Sequence, residues 1–122
     1  MMIDTDIFID FLRKNPEAEK FFYALDLDTA VFSAVTEAEL ISGKECDSPL
    51  VRERILHLLS SLTKIHVDNK IAQTAGDYCR RYGIALQDAL IAATAFHSNE
   101  KLATRNARDF SKIKEIKAEA PY

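Results

Sequence analysis

At 122 residues, 48% hydrophobic and 29% charged, with three Gly, three Pro and no Trp, the chain has the makeup expected of one ordinary domain spanning 1–122. That composition excludes a disordered segment, a collagen-like repeat and a disulfide scaffold, and no apolar run approaches the ~20 residues of a membrane span. The formal net charge of -3 argues against bulk attraction to polyanions, yet residues 79–114 hold seven bases against three acids, a window of +4 that leaves -7 elsewhere.

Met1-Met2-Ile3-Asp4 carries acid where a signal peptide would carry base, and Cys46 and Cys79 form no CxxC pair, so a reducing cytoplasm is the expected setting. Ile3 begins a short buried strand that ends in acid, and Ile7, Phe8, Phe11 and Leu12 then follow helical spacing over residues 6–13. Pro16 suits the first turn of a second helix running to about Leu25. Thr29–Ser33 reads as a second strand. It enters a helix from Thr36 to about Ser42, with Gly43 beyond its end. Leu50, Val51, Ile55, Leu58, Leu59 and Leu62 mark one face of a helix over 49–62. Lys64–Val67 predicts a third strand, and Asp68 caps a helix that closes at Gly83. Leu86–His97, rich in Ala and Leu, predicts a buried helix, followed by strands at Lys101–Thr104 and Ile116–Ala118. Strands alternating with helices predict an α/β domain on a parallel sheet of four to five strands. Its ligand site belongs outside the carboxyl ends of the strands, where Asp4, Ser33 and Thr104 fall.

Several acids share that end of the sheet. Asp4, in Asp4-Thr5-Asp6, fits either a helix cap or a metal or nucleophile position. Thr36 and Glu39 have capping-box spacing, which leaves Glu39 free for a second role facing the crevice. Asp88 lies in the first turn of its helix, where the dipole favours an acid by about 0.3–1 kcal/mol. Asn106 and Asp109 follow the fourth strand and both offer oxygen. Taken together, Asp4, Glu39, Asp88 and Asp109 are distant in sequence but map to one end of one sheet. Clustered carboxylates repel unless a cation compensates, and hard oxygen ligands suit Mg²⁺ or Mn²⁺. Zinc is disfavoured, since His57, His66 and His97 lack ligand spacing, and no GxxxxGK[ST], GxSxG or Cys/His signature is present.

Four strings carry a family resemblance: Met2–Asp10 (MIDTDIFID), Ser33–Leu40 (SAVTEAEL), Tyr82–Ala95 (YGIALQDALIAATA) and Leu102–Phe110 (LATRNARDF). In order and spacing they resemble the PIN-domain ribonucleases, and most of all the VapC toxins of VapBC toxin–antitoxin pairs. The resemblance implies a PIN-like α/β/α domain and a Mg²⁺- or Mn²⁺-dependent endoribonuclease. Asp4, Glu39, Asp88 and Asp109 would be its acids and metal ligands. It also implies a small VapB-type antitoxin partner and a homodimer. Two departures stand out: the family usually has Asn where this chain has Asp6, and its fourth acid sometimes occupies the position of Asn106.

On this reading Thr104, with Ser33 as an auxiliary, would orient water or phosphate through its hydroxyl, and RNA would approach along Arg80, Arg81, Arg105 and Arg108. Asp4-x-Asp6 after a first strand also resembles haloacid-dehalogenase phosphatases, with Asp4 as nucleophile and Asp6 as general acid. A receiver-type signalling domain has similar topology, and a catalytically idle PIN-like module would keep the fold for RNA binding or assembly alone.

Overall fold

Strands of two or three residues cannot hold a sheet by their own hydrogen bonds, so here the flanking helices must supply the stability. The computed structural model describes residues 1–122. Along the chain run β1 (Met2–Ile3), α1 (Thr5–Leu12), α2 (Pro16–Ala24), β2 (Val31–Ser33), α3 (Ala34–Ile41), a 3-10 turn (Lys44–Asp47), α4 (Pro49–Ser60) and β3 (Thr63–Ile65). They are followed by α5 (Asn69–Tyr82), α6 (Leu86–His97), β4 (Leu102–Ala103), α7 (Ala107–Phe110) and β5 (Ala118–Glu119). All strand pairs are parallel, in the order β3-β2-β1-β4-β5.

The period-2 alternation of the strands divides the core into two layers. Met2 and Leu102, paired across β1 and β4, turn to one face and pack with Ile71, Ala75 and Tyr78 of α5, the alanines and Ile91 of α6, and Phe110 and Ile113. Ile3 and Ala103, one residue on, turn to the other face with Ile7 and Phe8 of α1, Phe22 of α2, Leu40 of α3, and Ile55 and Leu59 of α4. The Phe8 ring sits 5.5 Å from Phe22 and 5.9 Å from Phe32. Each such buried aromatic contributes roughly 1.5–3 kcal/mol. The result is a three-layer α/β/α sandwich: the alternation predicts its parallel sheet, and the PIN-like resemblance implies its layering.

Two features place the functional end. The strand order reverses at β1, with β2 and β3 to one side and β4 and β5 to the other, a switch point of the kind beside which open α/β sheets form their ligand crevice, beyond the carboxyl ends of β1 and β4. In addition, Gly83 ends α5 in the left-handed region at φ 64°, so that α6 starts its return beside the same crevice.

The structure differs from the sequence reading in several local details. β2 passes into α3 without a linker, so α3 begins at Ala34 rather than Thr36. Ser33 is its cap, accepting from the Val35 N–H at 3.1 Å. The Thr36–Glu39 capping box is therefore not formed. The 3-10 turn and the one-turn α7 carry no apolar period to announce them. β3 and β5 pair one or two residues away from the predicted positions. No helix is long and apolar enough to cross a membrane.

Candidate active site

Asp4 leaves β1 in an extended conformation and caps α1, its Oδ1 accepting from the Thr5 N–H at 2.8 Å. Its Oδ2 accepts from the Thr104 hydroxyl at 2.7 Å, across from the end of β4. The cap reading of Asp4 therefore holds, and Thr104 fixes the same carboxylate at the end of β1. Thr104 has no exposed surface. Its oxygen lies 3.3 Å from Asp6 Oδ2 and accepts from the Asn106 N–H at 2.9 Å. With its single proton given to Asp4, this hydroxyl has none left for Asp6, a phosphate or a water. Asp6 Oδ2 accepts from the Arg105 N–H at 3.1 Å.

Burial first, and then repulsion from Asp6, pushes Asp4 from the ordinary 3.8 to about 7. Hydrogen bonds from Thr104 and Thr5 oppose the rise, and Asp88 adds to it. Asp6 is raised chiefly by burial, against the Arg105 N–H and the Thr104 hydroxyl. Asp88 is raised by burial and by Asp109. Asp4 is thus repelled by Asp6 and Asp88, and Asp88 in turn by Asp109.

Glu39 joins these acids by another route. The Thr5 hydroxyl donates to Glu39 Oε1 at 2.8 Å and stands 3.0 Å from the Thr36 hydroxyl. Having given its one proton to the carboxylate, Thr5 accepts from Thr36. Ser33 has no exposed surface and its hydroxyl is committed to its helix, so it does not open into the crevice. Asn106 sits at the N-cap position of α7 without a capping bond, and Asp109 stands at the rim, 3.9 Å from Lys112. Among the bases, Arg81 and Arg108 are exposed, Arg80 pairs with Asp77, and Arg105 is held by Asp10.

Thr5 and Asp10 are the residues that sequence reasoning missed. Asp10 lies four residues after Asp6 on an otherwise apolar helix, and like charges at that spacing disfavour a helix unless a cation intervenes. That was the available signal, and Arg105 is the cation.

As the side chains lie, no three His, Cys, Asp or Glu groups converge closely enough to hold an ion between them. The donor set nonetheless fits a hard divalent cation. It is all oxygen, its acids repel one another, and Asp6 Oδ1 is buried without any hydrogen-bond partner. A buried carboxylate oxygen left unpaired costs free energy that a cation would recover.

Comparison with known proteins identifies the fold and the family. Residues 1–116 match the PIN domain family. Ribonuclease VapC10 of Mycobacterium tuberculosis is 33% identical over 123 aligned positions, covering 96% of this chain and 90% of that protein. Among solved structures, a toxin–antitoxin complex from Klebsiella pneumoniae superposes with a TM-score of 0.85 at 29% identity, covering 99% of this chain and 97% of that one. VapBC-1 from nontypeable Haemophilus influenzae gives 0.79 at 28%, covering 98% and 96%. The chain belongs to the PIN domain family.

That assignment removes two competing classes. A receiver domain follows the strand order 2-1-3-4-5, not the order found here. The haloacid-dehalogenase reading of Asp4 gives way to the PIN domain match over residues 1–116.

Proposed function

We propose that this chain is a metal-dependent endoribonuclease working in the cytoplasm through one PIN-like domain, and that it is the toxin of a toxin–antitoxin pair. The observation that carries the reading is the group of acids Asp6, Asp4, Asp88 and Asp109, joined to Glu39 through Thr5, at the carboxyl end of β1 and β4. Its relatives support it, one being named a ribonuclease and others being toxin–antitoxin complexes.

Asp4, Asp88, Glu39 and Asp109 would hold Mg²⁺ or Mn²⁺, with Asp6 beside them. When bound, such an ion shields phosphate charge and makes water a nucleophile near neutral pH. The protein's own part is positional. Thr104 fixes Asp4, the Arg105 N–H holds Asp6, and Thr5 aims Glu39. Arg80, Arg81, Arg105 and Arg108 give RNA a basic approach, while the remaining acidic surface repels it.

The partner would be a small VapB-type antitoxin, on a homodimer of this chain. A groove of about 380 Å³ between α1, α3 and α4 supports that reading. Ile9, Leu12, Leu40, Val51 and Ile55 make it apolar, and Glu39 brings it to the acids. An antitoxin Arg placed against Asp4, Glu39 and Asp88 would occupy the cation position with a bidentate fork.

The test is incubation of the purified chain with single-stranded RNA in Mg²⁺ or in EDTA, beside a generic phosphatase substrate. Cleavage of RNA alone, abolished by EDTA, is the expected result. RNA binding without cleavage would favour the idle binding module.

A further inference from the structure

Arg105 is held at both ends. Its N–H donates to Asp6 Oδ2, and its Nη1 lies 3.1 and 3.0 Å from the two carboxylate oxygens of Asp10. The Tyr122 hydroxyl donates to Asp10 Oδ2 at 2.7 Å, so a buried acid on α1 gathers a guanidinium and a phenol from two later parts of the chain. The Arg105 side chain nevertheless remains 54% exposed, against 12% for Asp10. Beyond Nη1, the guanidinium makes no hydrogen bond within the protein.

A pair with one exposed member adds little stability, while fixing an arginine costs side-chain entropy. The arrangement makes physical sense if the ordered guanidinium meets something else. We propose that Asp10 and Tyr122 are positioning residues that hold Arg105 as a phosphate contact for the RNA strand entering the acidic site. The inference rests on the nuclease reading above. An incoming phosphodiester must approach Asp4, Asp6 and Asp88, which repel it. Arg105 sets a cation beside them whose planar fork can face Asp10 with one edge and a phosphate with another. Because the side chain is ordered before RNA arrives, the entropic cost falls in folding rather than in binding.

The test is a double-mutant cycle read by fluorescence anisotropy, using a labelled mixed-sequence single-stranded RNA in EDTA at low salt, with cleavage in Mg²⁺ measured separately. Arg105→Ala should weaken binding about tenfold, and Asp10→Asn or Tyr122→Phe about threefold. Arg105→Lys should not restore affinity in full, since an ammonium lacks the planar fork that meets Asp10 with one edge and a phosphate with another. In the Arg105→Ala background, Asp10→Asn and Tyr122→Phe should have no further effect on affinity. Tyr122→Phe removes one hydrogen bond and keeps the ring, so it remains informative if Asp10→Asn folds poorly. In cleavage, the loss should fall on KM and leave kcat nearly unchanged.

Equal losses from Tyr122→Phe with and without Arg105 would overturn the proposal, as would affinity indifferent to Arg105→Ala or no RNA binding by the wild type. Binding that follows the cycle without any cleavage would instead remove the nuclease reading and leave the positioning intact. Cleavage with no Arg105 dependence would do the reverse.

Discussion

The Thr104 hydroxyl donates to Asp4 Oδ2 at 2.7 Å, bridging the ends of β4 and β1 at the place where the strand order reverses. The two residues are 100 positions apart, and neither has exposed surface to speak of. The bond therefore does structural and chemical work at once. It pins the acid most central to the crevice, and it lowers a proton affinity that burial raises.

Thr104→Val keeps the shape but removes that donor and the acceptor for the Asn106 N–H. Leaving these buried partners unpaired should cost about 1–3 kcal/mol in urea unfolding, while Thr104→Ser should lie close to wild type. An unchanged unfolding midpoint for the valine variant would contradict the bridge.

Asp4 itself makes stability depend on pH. Between 3.8 and about 7 the native state keeps a proton that the unfolded chain has released. The group's contribution is thus full below the lower value and is lost as pH rises through the upper one. Asn caps a helix as well as Asp does, so Asp4→Asn in EDTA should melt above wild type at about pH 8 and level with it at about pH 4. Millimolar Mn²⁺ should raise the wild-type Tm at the higher pH and leave the variant unmoved. Wild-type melting indifferent to both pH and Mn²⁺ would count against a cation position here.

Ser33 separates capping from catalysis. Ser33→Ala should lower stability by about 1 kcal/mol through loss of the α3 cap, measured by denaturant titration. RNA cleavage per folded molecule should be unchanged. A large loss of activity at full folding would return Ser33 to the site.

The partner is open to a test in cells. Strong expression of the wild-type chain alone should arrest growth, and Asp4→Asn should not. Co-expression of the product of the adjacent reading frame should relieve the arrest. Replacing Ile9 and Val51 in the groove with Asp should weaken that relief more than it weakens the arrest itself. A chain harmless at high expression would oppose the toxin reading.

How much of this was legible in the sequence depended on distance along the chain. The parallel sheet could be read from short apolar strands alternating with amphipathic helices, because each element's pattern is local. Asp4, Asp88 and Asp109 could be placed at one end of the sheet because strand ends are local too. The start of α3 is ambiguous in sequence because two good caps, Ser33 and Thr36, lie three residues apart, and only the direct passage from β2 decides between them. The Asp10–Arg105–Tyr122 cluster was invisible. Its members are separated by 95 and 112 positions, and no motif or period links them. Thr104 stands beside Asp4, but its hydroxyl takes a different task from the one expected, since a sequence cannot show where a hydroxyl's one proton goes.

The acidic group is tested most directly by single-turnover cleavage of one RNA in Mg²⁺ by the wild type, Asp4→Asn, Asp88→Asn, Asp109→Asn and Asn106→Ala, each confirmed as folded by its melting curve. Loss of cleavage by at least about a hundredfold is expected for Asp4→Asn and Asp88→Asn, with a smaller loss for Asp109→Asn, whose side chain is 55% exposed at the rim. Loss from Asn106→Ala equal to that of the two central acids would move the fourth position there. Undiminished Mg²⁺-dependent cleavage by folded Asp4→Asn or Asp88→Asn would contradict the assignment of the site.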